Sequence, residues 1–218
     1  DKALKQTFDT AAELLEVQAK RYAANGYSFD LYENEYLNFI KKFPYEETYD
    51  QKRTIDEVLQ DMHSSRPMDR LICGEVGFGK TEVAMRAAFI CALNNKQTCI
   101  LVPTTLLTSQ HLESFEQRFK DTGVNIASLS RNITPKEKDK LVHSLASGEI
   151  DIVIGTHALI QGNIRFKELG LLIIDEEHRF GVRQKEKIKS LKEELDILSL
   201  SATPIPRSLN FALTELKD

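Results

Sequence analysis

Cysteine is scarce: Cys73, Cys91 and Cys99 are the three in 218 residues, and none sit as C-x-x-C or at metal-binding spacing. That excludes a disulfide-built scaffold and a cysteine-zinc site, and it predicts buried, reduced thiols in a cytosolic protein. No uninterrupted apolar run is long enough to cross a bilayer and no leader pattern opens the chain, so a cytoplasmic location without a membrane partner is expected. Basic excess is absent too, because Lys+Arg 29 against Asp+Glu 33 leaves a net charge of −4. A molecule-wide positive field for nucleic acid is thereby excluded, whereas a local positive groove is not. Without internal repeats or low-complexity tracts, solenoid and tail-like readings fall away.

What is present centres on Arg70 to Thr81, a short apolar strand, a glycine-rich turn and the start of a helix. Gly74, Glu75, Val76, Gly77, Phe78, Gly79, Lys80 and Thr81 fit G-x-x-x-x-G-K-[ST] at every required position. Inward-pointing N–H groups in such a loop hold phosphate oxygens, and glycine reaches the backbone angles they need at no steric cost. The following helix, with Val83, Ala84, Ala87, Ala88 and Cys91 at helical spacing, aims its positive end at the same point. Lys80 adds a full charge, and Thr81 offers a hydroxyl to Mg²⁺. A glycine-rich turn without chemistry is the competing reading, disfavoured because strand and helix flank the motif in the required order.

Along the chain, Leu4, Phe8, Ala11, Leu15, Ala19 and Tyr22 recur at helical steps and predict a long amphipathic helix ending near Asn25-Gly26. A second helix is expected from Asp30, with Asp30 and Glu33 as a capping pair, to Phe43-Pro44. A third opens at Thr48 to Gln51, where Thr48 and Gln51 form a capping box. Strands are expected at Thr98–Val102, Asn125–Leu129, Asp151–Gly155, Leu169–Asp175 and Asp196–Ser201. Thr134-Pro135-Lys136-Glu137 is a well-formed helix start between two of them. Short apolar strands alternating with helices predict an α/β fold with a mostly parallel sheet, covered on both faces and binding ligands at the strands' carboxyl ends.

The strand Leu171 to Ile174 runs straight into Asp175, Glu176, Glu177 and His178. Acids beside a core strand are costly unless a cation or hydrogen bonds compensate them. Mg²⁺ arriving with ATP is the natural cation, with Asp175 holding it partly through water and Glu176 activating the water that attacks the γ-phosphate. Zinc is the weaker alternative, since Glu177 and His178 lack the spaced histidines of a zinc helix.

Together Gly74–Thr81, Pro103-Thr104-Thr105-Leu106-Leu107, Gly155-Thr156-His157, Asp175–His178 and Ser201-Ala202-Thr203-Pro204-Ile205-Pro206-Arg207 resemble the first RecA-like motor lobe of superfamily 2 helicases and translocases. Asp175 to Gln184 is similar to a signature shared by RecG branch-migration helicases and bacterial transcription-repair coupling factors. Phe43 to Thr48 and Asp69 to Gly74 tip the resemblance toward the coupling factors.

The resemblance implies a three-layer RecA-like P-loop NTPase lobe over 46–218 preceded by a helical connector arm over 1–45. It implies an ATP- and Mg²⁺-dependent motor on double-stranded DNA, with Phe43 and Gln51 reading adenine. An amide can pair with the adenine edge in both senses, so for Gln51 this competes with simple capping. Thr104, Thr105, Gly155, Thr156 and His157 match the motifs that hold the DNA backbone, contacts that carry no sequence information. Ordinary helix capping is the alternative for each threonine. Ser201, Thr203 and Arg207 match the motif coupling the ATP site to the DNA track, with His178 assisting. Arg179 and Arg183 face the partner lobe or DNA, while the lysines from Lys185 to Lys192 read as a solvated helix face.

Such a motor also needs a second RecA-like lobe carrying an arginine finger, worth about 10³ to 10⁵ in rate. Nothing after Arg207 encodes one, so a fragment with little ATPase of its own is expected. RNA polymerase and excision-repair proteins are the implied partners, through other domains. A RecG-like fork-remodelling lobe and a nucleotide-dependent DNA- or partner-binding module are the alternatives.

Overall fold

The computed structural model describes residues 25–75, 77–130, 133–161, 164–191 and 195–202. The long helix expected before Asn25 therefore lies outside the described residues.

Among the described residues six strands form one sheet with every pairing parallel. They are β1 (Asp69–Cys73), β2 (Gln97–Leu101), β3 (Ile126–Leu129), β4 (Ile152–Gly155), β5 (Leu169–Asp175) and β6 (Asp196–Ser201). Their spatial order is β1-β6-β5-β2-β4-β3. The helices are α1 (Glu33–Lys41), α2 (Tyr49–His63), α3 (Lys80–Leu93), α4 (Thr105–Arg118), α5 (Pro135–Ser147) and α6 (Val182–Leu191). Short 3₁₀ turns at His157–Leu159 and Glu177–Arg179 follow β4 and β5.

The expected strands at Leu169–Asp175 and Asp196–Ser201 form with those bounds, and the other three lie within a residue of theirs. Central strands covered on both faces should be apolar throughout, and Leu171 to Ile174 are fully buried. Two apolar layers result. One joins Ile100, Leu171, Ile173 and Leu198 to α2, α3 and α4. The other joins Cys99, Leu172, Ile174 and Ile197 to Leu141 and Leu145 of α5 and Ile188 of α6. In α6, Lys185 and Lys187 are exposed as expected.

The helix expected from Asp30 starts later. Tyr32 takes a left-handed conformation (φ 46°) and α1 begins at Glu33 without a side-chain cap. The reason is tertiary: the Asn94 side chain accepts from the Asp30 N–H at 3.0 Å and donates to the Asp30 carbonyl at 2.9 Å. Those backbone groups are taken, so Asp30 runs against the end of α3 instead of opening a helix. Phe29 (0% exposed) and Phe39 (2%) enter the same core as α3. Both capping boxes form as read, Thr48 with Gln51 and Thr134 with Glu137.

Behind the phosphate loop a charged cluster clamps α1 and the residues after it to the lobe. Arg86 pairs with Glu82 at 2.9 Å and Glu47 at 2.6 Å, while Arg118 pairs with Glu82 at 2.8 Å. Arg118 also donates to the Phe39 carbonyl at 3.0 Å and lies 3.8 Å from the centre of the Phe39 ring. Burial opposes charge on Arg86, but hydrogen bonds to Glu47 and Glu82 more than offset it and raise its pKa.

Candidate nucleotide site

β1 delivers the chain into the phosphate loop at the carboxyl edge of the sheet. The Gly74 N–H donates to the Ser201 carbonyl at 3.1 Å, joining the loop to the end of β6. The Phe78 N–H turns back onto the Glu75 carbonyl at 3.1 Å. Gly77 and Gly79 carry φ of 89° and 80°, and α3 starts from Gly79. The left-handed φ at position 79 favours glycine, and a Cβ there would also push aside the end of the Gln51 side chain. Lys80 donates to the carbonyls of Gly74 and Glu75. Val76 lies outside the described residues.

Of the two readings of Gln51, the capping box forms, and the remainder of the side-chain amide makes a tie to the phosphate loop. Its oxygen accepts from the Thr48 N–H at 2.9 Å, completing the capping box. Its amide nitrogen donates to the Phe78 carbonyl at 2.7 Å, tying the helix start to the phosphate loop. Phe43 sits with the guanidinium carbons of Arg86 and Arg118 each 5.6 Å from its ring centre, and it meets Tyr45 edge-on at 5.5 Å.

At the end of β5 the acidic edge is tightly held. Glu176 adopts φ 53°, a left-handed conformation costly for this residue type. Its N–H donates to the Leu200 carbonyl at 2.8 Å, and its carboxylate accepts from the Ala202 N–H at 2.8 Å. The other Glu176 oxygen lies 3.2 Å from His178 Nδ1. Glu177 accepts from the Ser199 hydroxyl at 3.2 Å. Thus Glu176 and Glu177 link this loop to β6, while His178 turns back on Glu176. Ser201 is half-buried; Thr203 and Arg207 lie outside the described residues.

One cavity of about 510 Å³ collects Gly79, Lys80, Thr81, His111, Asp175 and Glu176 on its walls. The motif residues read from separated stretches therefore meet in one place. The Thr81 hydroxyl and Asp175 carboxylate are hard oxygen donors, the type Mg²⁺ selects. Among the described residues no group of three or more His, Cys, Asp or Glu side chains could hold a metal. One hydroxyl and one carboxylate suit an ion that keeps several waters and shares phosphate oxygens, so the residues fit Mg²⁺ bound with a nucleotide.

Sequence reasoning missed His111. Its Nε2 lies 3.0 Å from Asp175 Oδ2, with side chains only 11% and 14% exposed. A lone histidine inside a helix carries no local signal, and only the crossing of α4 past β5 reveals it.

The residues expected on the DNA track lie on the same edge. Leu101 and Gly155 are register partners, so the segments leaving β2 and β4 are neighbours. Thr104 is exposed and caps α4, its hydroxyl accepting from the Leu107 N–H at 3.2 Å. Thr105 and His157 are half-buried, and Thr156, at 6% exposure, offers little surface. Gly155 is closely packed, since a Cβ there would lie 2.7 Å from the Leu129 carbonyl oxygen.

The sequence model described as DEAD/DEAH box helicase matches residues 48–211. Over 217 residues the chain is 55% identical to the transcription-repair-coupling factor of Haemophilus influenzae and 52% identical to that of Escherichia coli, covering all of this chain and 19% of either relative. The Bacillus subtilis counterpart is 50% identical over 96% of this chain and 18% of the relative. The chain thus spans about a fifth of the length of these relatives. Among solved structures, RecG bound to a three-way DNA junction matches with a TM-score of 0.80 and 40% identity, over 92% of this chain and 27% of that one. The UvsW helicase of bacteriophage T4 matches at TM-score 0.58 and 20% identity, over 81% of this chain and 62% of that one, a likeness of fold alone. The architecture is therefore the RecA-like helicase fold anticipated from the motifs.

Proposed function

The chain belongs to the DEAD/DEAH box helicase family, and from that premise we propose that it is the ATP-binding half of a double-stranded DNA translocase that displaces stalled RNA polymerase and couples transcription to nucleotide excision repair. The observation that carries the reading is the convergence of Lys80, Thr81, Asp175 and Glu176 on one cavity at the carboxyl edge of a parallel sheet. The 47–55% identity to transcription-repair-coupling factors supports this assignment over a RecG-like fork-remodelling lobe. RecG's 40% identity keeps that lobe as the second reading. A cytoplasmic setting fits this role.

In the proposed mechanism Gly74 to Gly79 and the first N–H groups of α3 cradle the phosphates, with Lys80 leaving the Gly74 and Glu75 carbonyls to meet them. The Thr81 hydroxyl and Asp175 would hold Mg²⁺, which would neutralise charge building on the phosphates. Glu176 orients and deprotonates the attacking water, its carboxylate steadied by the Ala202 N–H. The same bond gives hydrolysis a path into the segment after β6 and so toward the DNA track. Phe43 and Gln51 face adenine. Thr104, Thr105, Gly155, Thr156 and His157 carry the DNA backbone, while His178, Ser201, Thr203 and Arg207 couple the two sites. Residues 1–45 form a connector arm and 46–218 the motor lobe. A second RecA-like lobe supplies the arginine finger, and other domains bind RNA polymerase and repair proteins.

The test is a stalled-polymerase release assay with the longer protein, set beside nucleotide turnover by the 218-residue chain. Release that requires ATP and upstream duplex supports the proposal. Failure to release, with fork regression intact, transfers the lobe to the RecG-like reading. Strong DNA-stimulated turnover by this chain alone overturns the need for a second lobe.

A further inference from the structure

His111 has no part in the mechanism above, yet it reaches the cavity and touches one of its acids. Donation to a carboxylate oxygen places the proton on Nε2, so His111 donates to Asp175 Oδ2 at 3.0 Å. Its ring is held in turn. It lies 6.3 Å from Phe115 at an interplanar angle of 55°, and Phe115, 1% exposed, stacks on Phe119 at 5.6 Å. Leu107, Gln110, His111 and Ser114, at helical spacing on α4, all border the cavity, so the donor is mounted on a packed helix and not on a loop.

An aspartate carboxylate turns easily about its last torsion, which has a broad, two-fold profile. Fixing one oxygen fixes the plane and hence the direction of the other. Backbone pairing already fixes where Asp175 leaves β5, because the residue is in register with Leu200 of β6. What pairing leaves open is the carboxylate's rotation, and His111 is placed to remove that freedom.

We propose that His111 is a positioning residue for Asp175, holding one carboxylate oxygen so that the other is presented to the magnesium ion that accompanies the nucleotide. This rests on the reading of Asp175 as a metal-holding residue. Partners of this kind typically contribute about 10- to 100-fold to metal affinity or activity.

The experiment titrates Mn²⁺ into the 218-residue chain with ADP bound and follows free Mn²⁺ by electron paramagnetic resonance. ADP affinity in EDTA is measured in parallel with a fluorescent analogue. His111→Ala is expected to weaken Mn²⁺ binding about tenfold while leaving ADP affinity in EDTA unchanged. His111→Gln, whose amide reaches as Nε2 does, is expected to restore most of the loss. Asp175→Asn is the reference arm. If it weakens Mn²⁺ binding and His111→Ala does not, the positioning role is overturned. If Asp175→Asn leaves Mn²⁺ binding intact, the metal reading of Asp175 fails, and this proposal with it. If His111→Ala and His111→Gln weaken ADP binding in EDTA as much as Mn²⁺ binding, the residue serves packing and the proposal is overturned.

Discussion

The Gln51 side-chain amide donates to the Phe78 carbonyl at 2.7 Å, so the residue that closes the capping box of α2 also holds the phosphate loop. Gln51→Glu keeps a capping-box acceptor but replaces the donor with an oxygen facing the carbonyl. Loss of one such hydrogen bond costs about 0.5 to 1.5 kcal/mol, so nucleotide affinity should fall roughly three- to tenfold with little change in thermal stability. Comparing ADP with GDP separates the two roles. A loss confined to ADP marks adenine recognition, an equal loss marks the loop tie, and unchanged affinity for both refutes each.

Lys80 and Glu176 should fail in different ways. Lys80 supplies the one side-chain cation of the cradle's motif, and its bonds to the Gly74 and Glu75 carbonyls keep it at the loop. Lys80→Ala is expected to abolish nucleotide binding by the chain; equal binding would sink the phosphate-loop assignment. Glu176→Gln retains an oxygen for the Ala202 N–H but cannot take a proton. In the longer protein it should bind ATP normally while hydrolysis drops about 10²- to 10⁴-fold in a steady-state phosphate-release assay.

Why some of this was legible in the sequence and some was not follows from range. The phosphate loop, both capping boxes and the buried run Leu171 to Ile174 obey local rules, and their positions could be read directly. Asp30 misled because Asn94, far along the chain, takes its backbone groups. The charged cluster of Glu47, Glu82, Arg86 and Arg118 is equally non-local. Glu82 and Arg86 stand four residues apart on one helix, a spacing equally common on solvated faces, and nothing local shows that Glu47 and Arg118 join them in a largely buried cluster. His111, on α4, was invisible for the same reason: its partner Asp175 lies at the end of the strand β5.

That cluster yields a stability prediction. Arg86, Glu82 and Arg118 are only 2%, 8% and 8% exposed, so removing Arg118 leaves Glu82 dependent on Arg86, which it shares with Glu47, and strips its buried Oε2 of the 3.0 Å hydrogen bond from Arg118. Arg118→Met should cost about 3 to 5 kcal/mol in urea unfolding, as for other broken buried pairs. Adding Glu82→Gln should return part of that loss. A single-variant cost under about 1 kcal/mol would mean the cluster is solvated in solution.

The three thiols should separate sharply. Cys73 is exposed, while Cys91 and Cys99 are fully buried. At pH 8 a thiol-exchange reagent should therefore label Cys73 quickly and the buried pair only as fast as the fold opens. Burial also pushes the Cys91 thiol up from 9.0 to about 12 and raises Cys99 as well. The native state thus holds these protons more tightly than the unfolded chain does. Their contribution to stability is complete below about pH 9 and is lost as pH rises toward 12 for Cys91. Melting temperatures measured across that window should fall less steeply for Cys91→Ala than for the parent, because the variant has no thiol to ionise on unfolding. Parallel curves for the two proteins would show that other groups govern the alkaline limb.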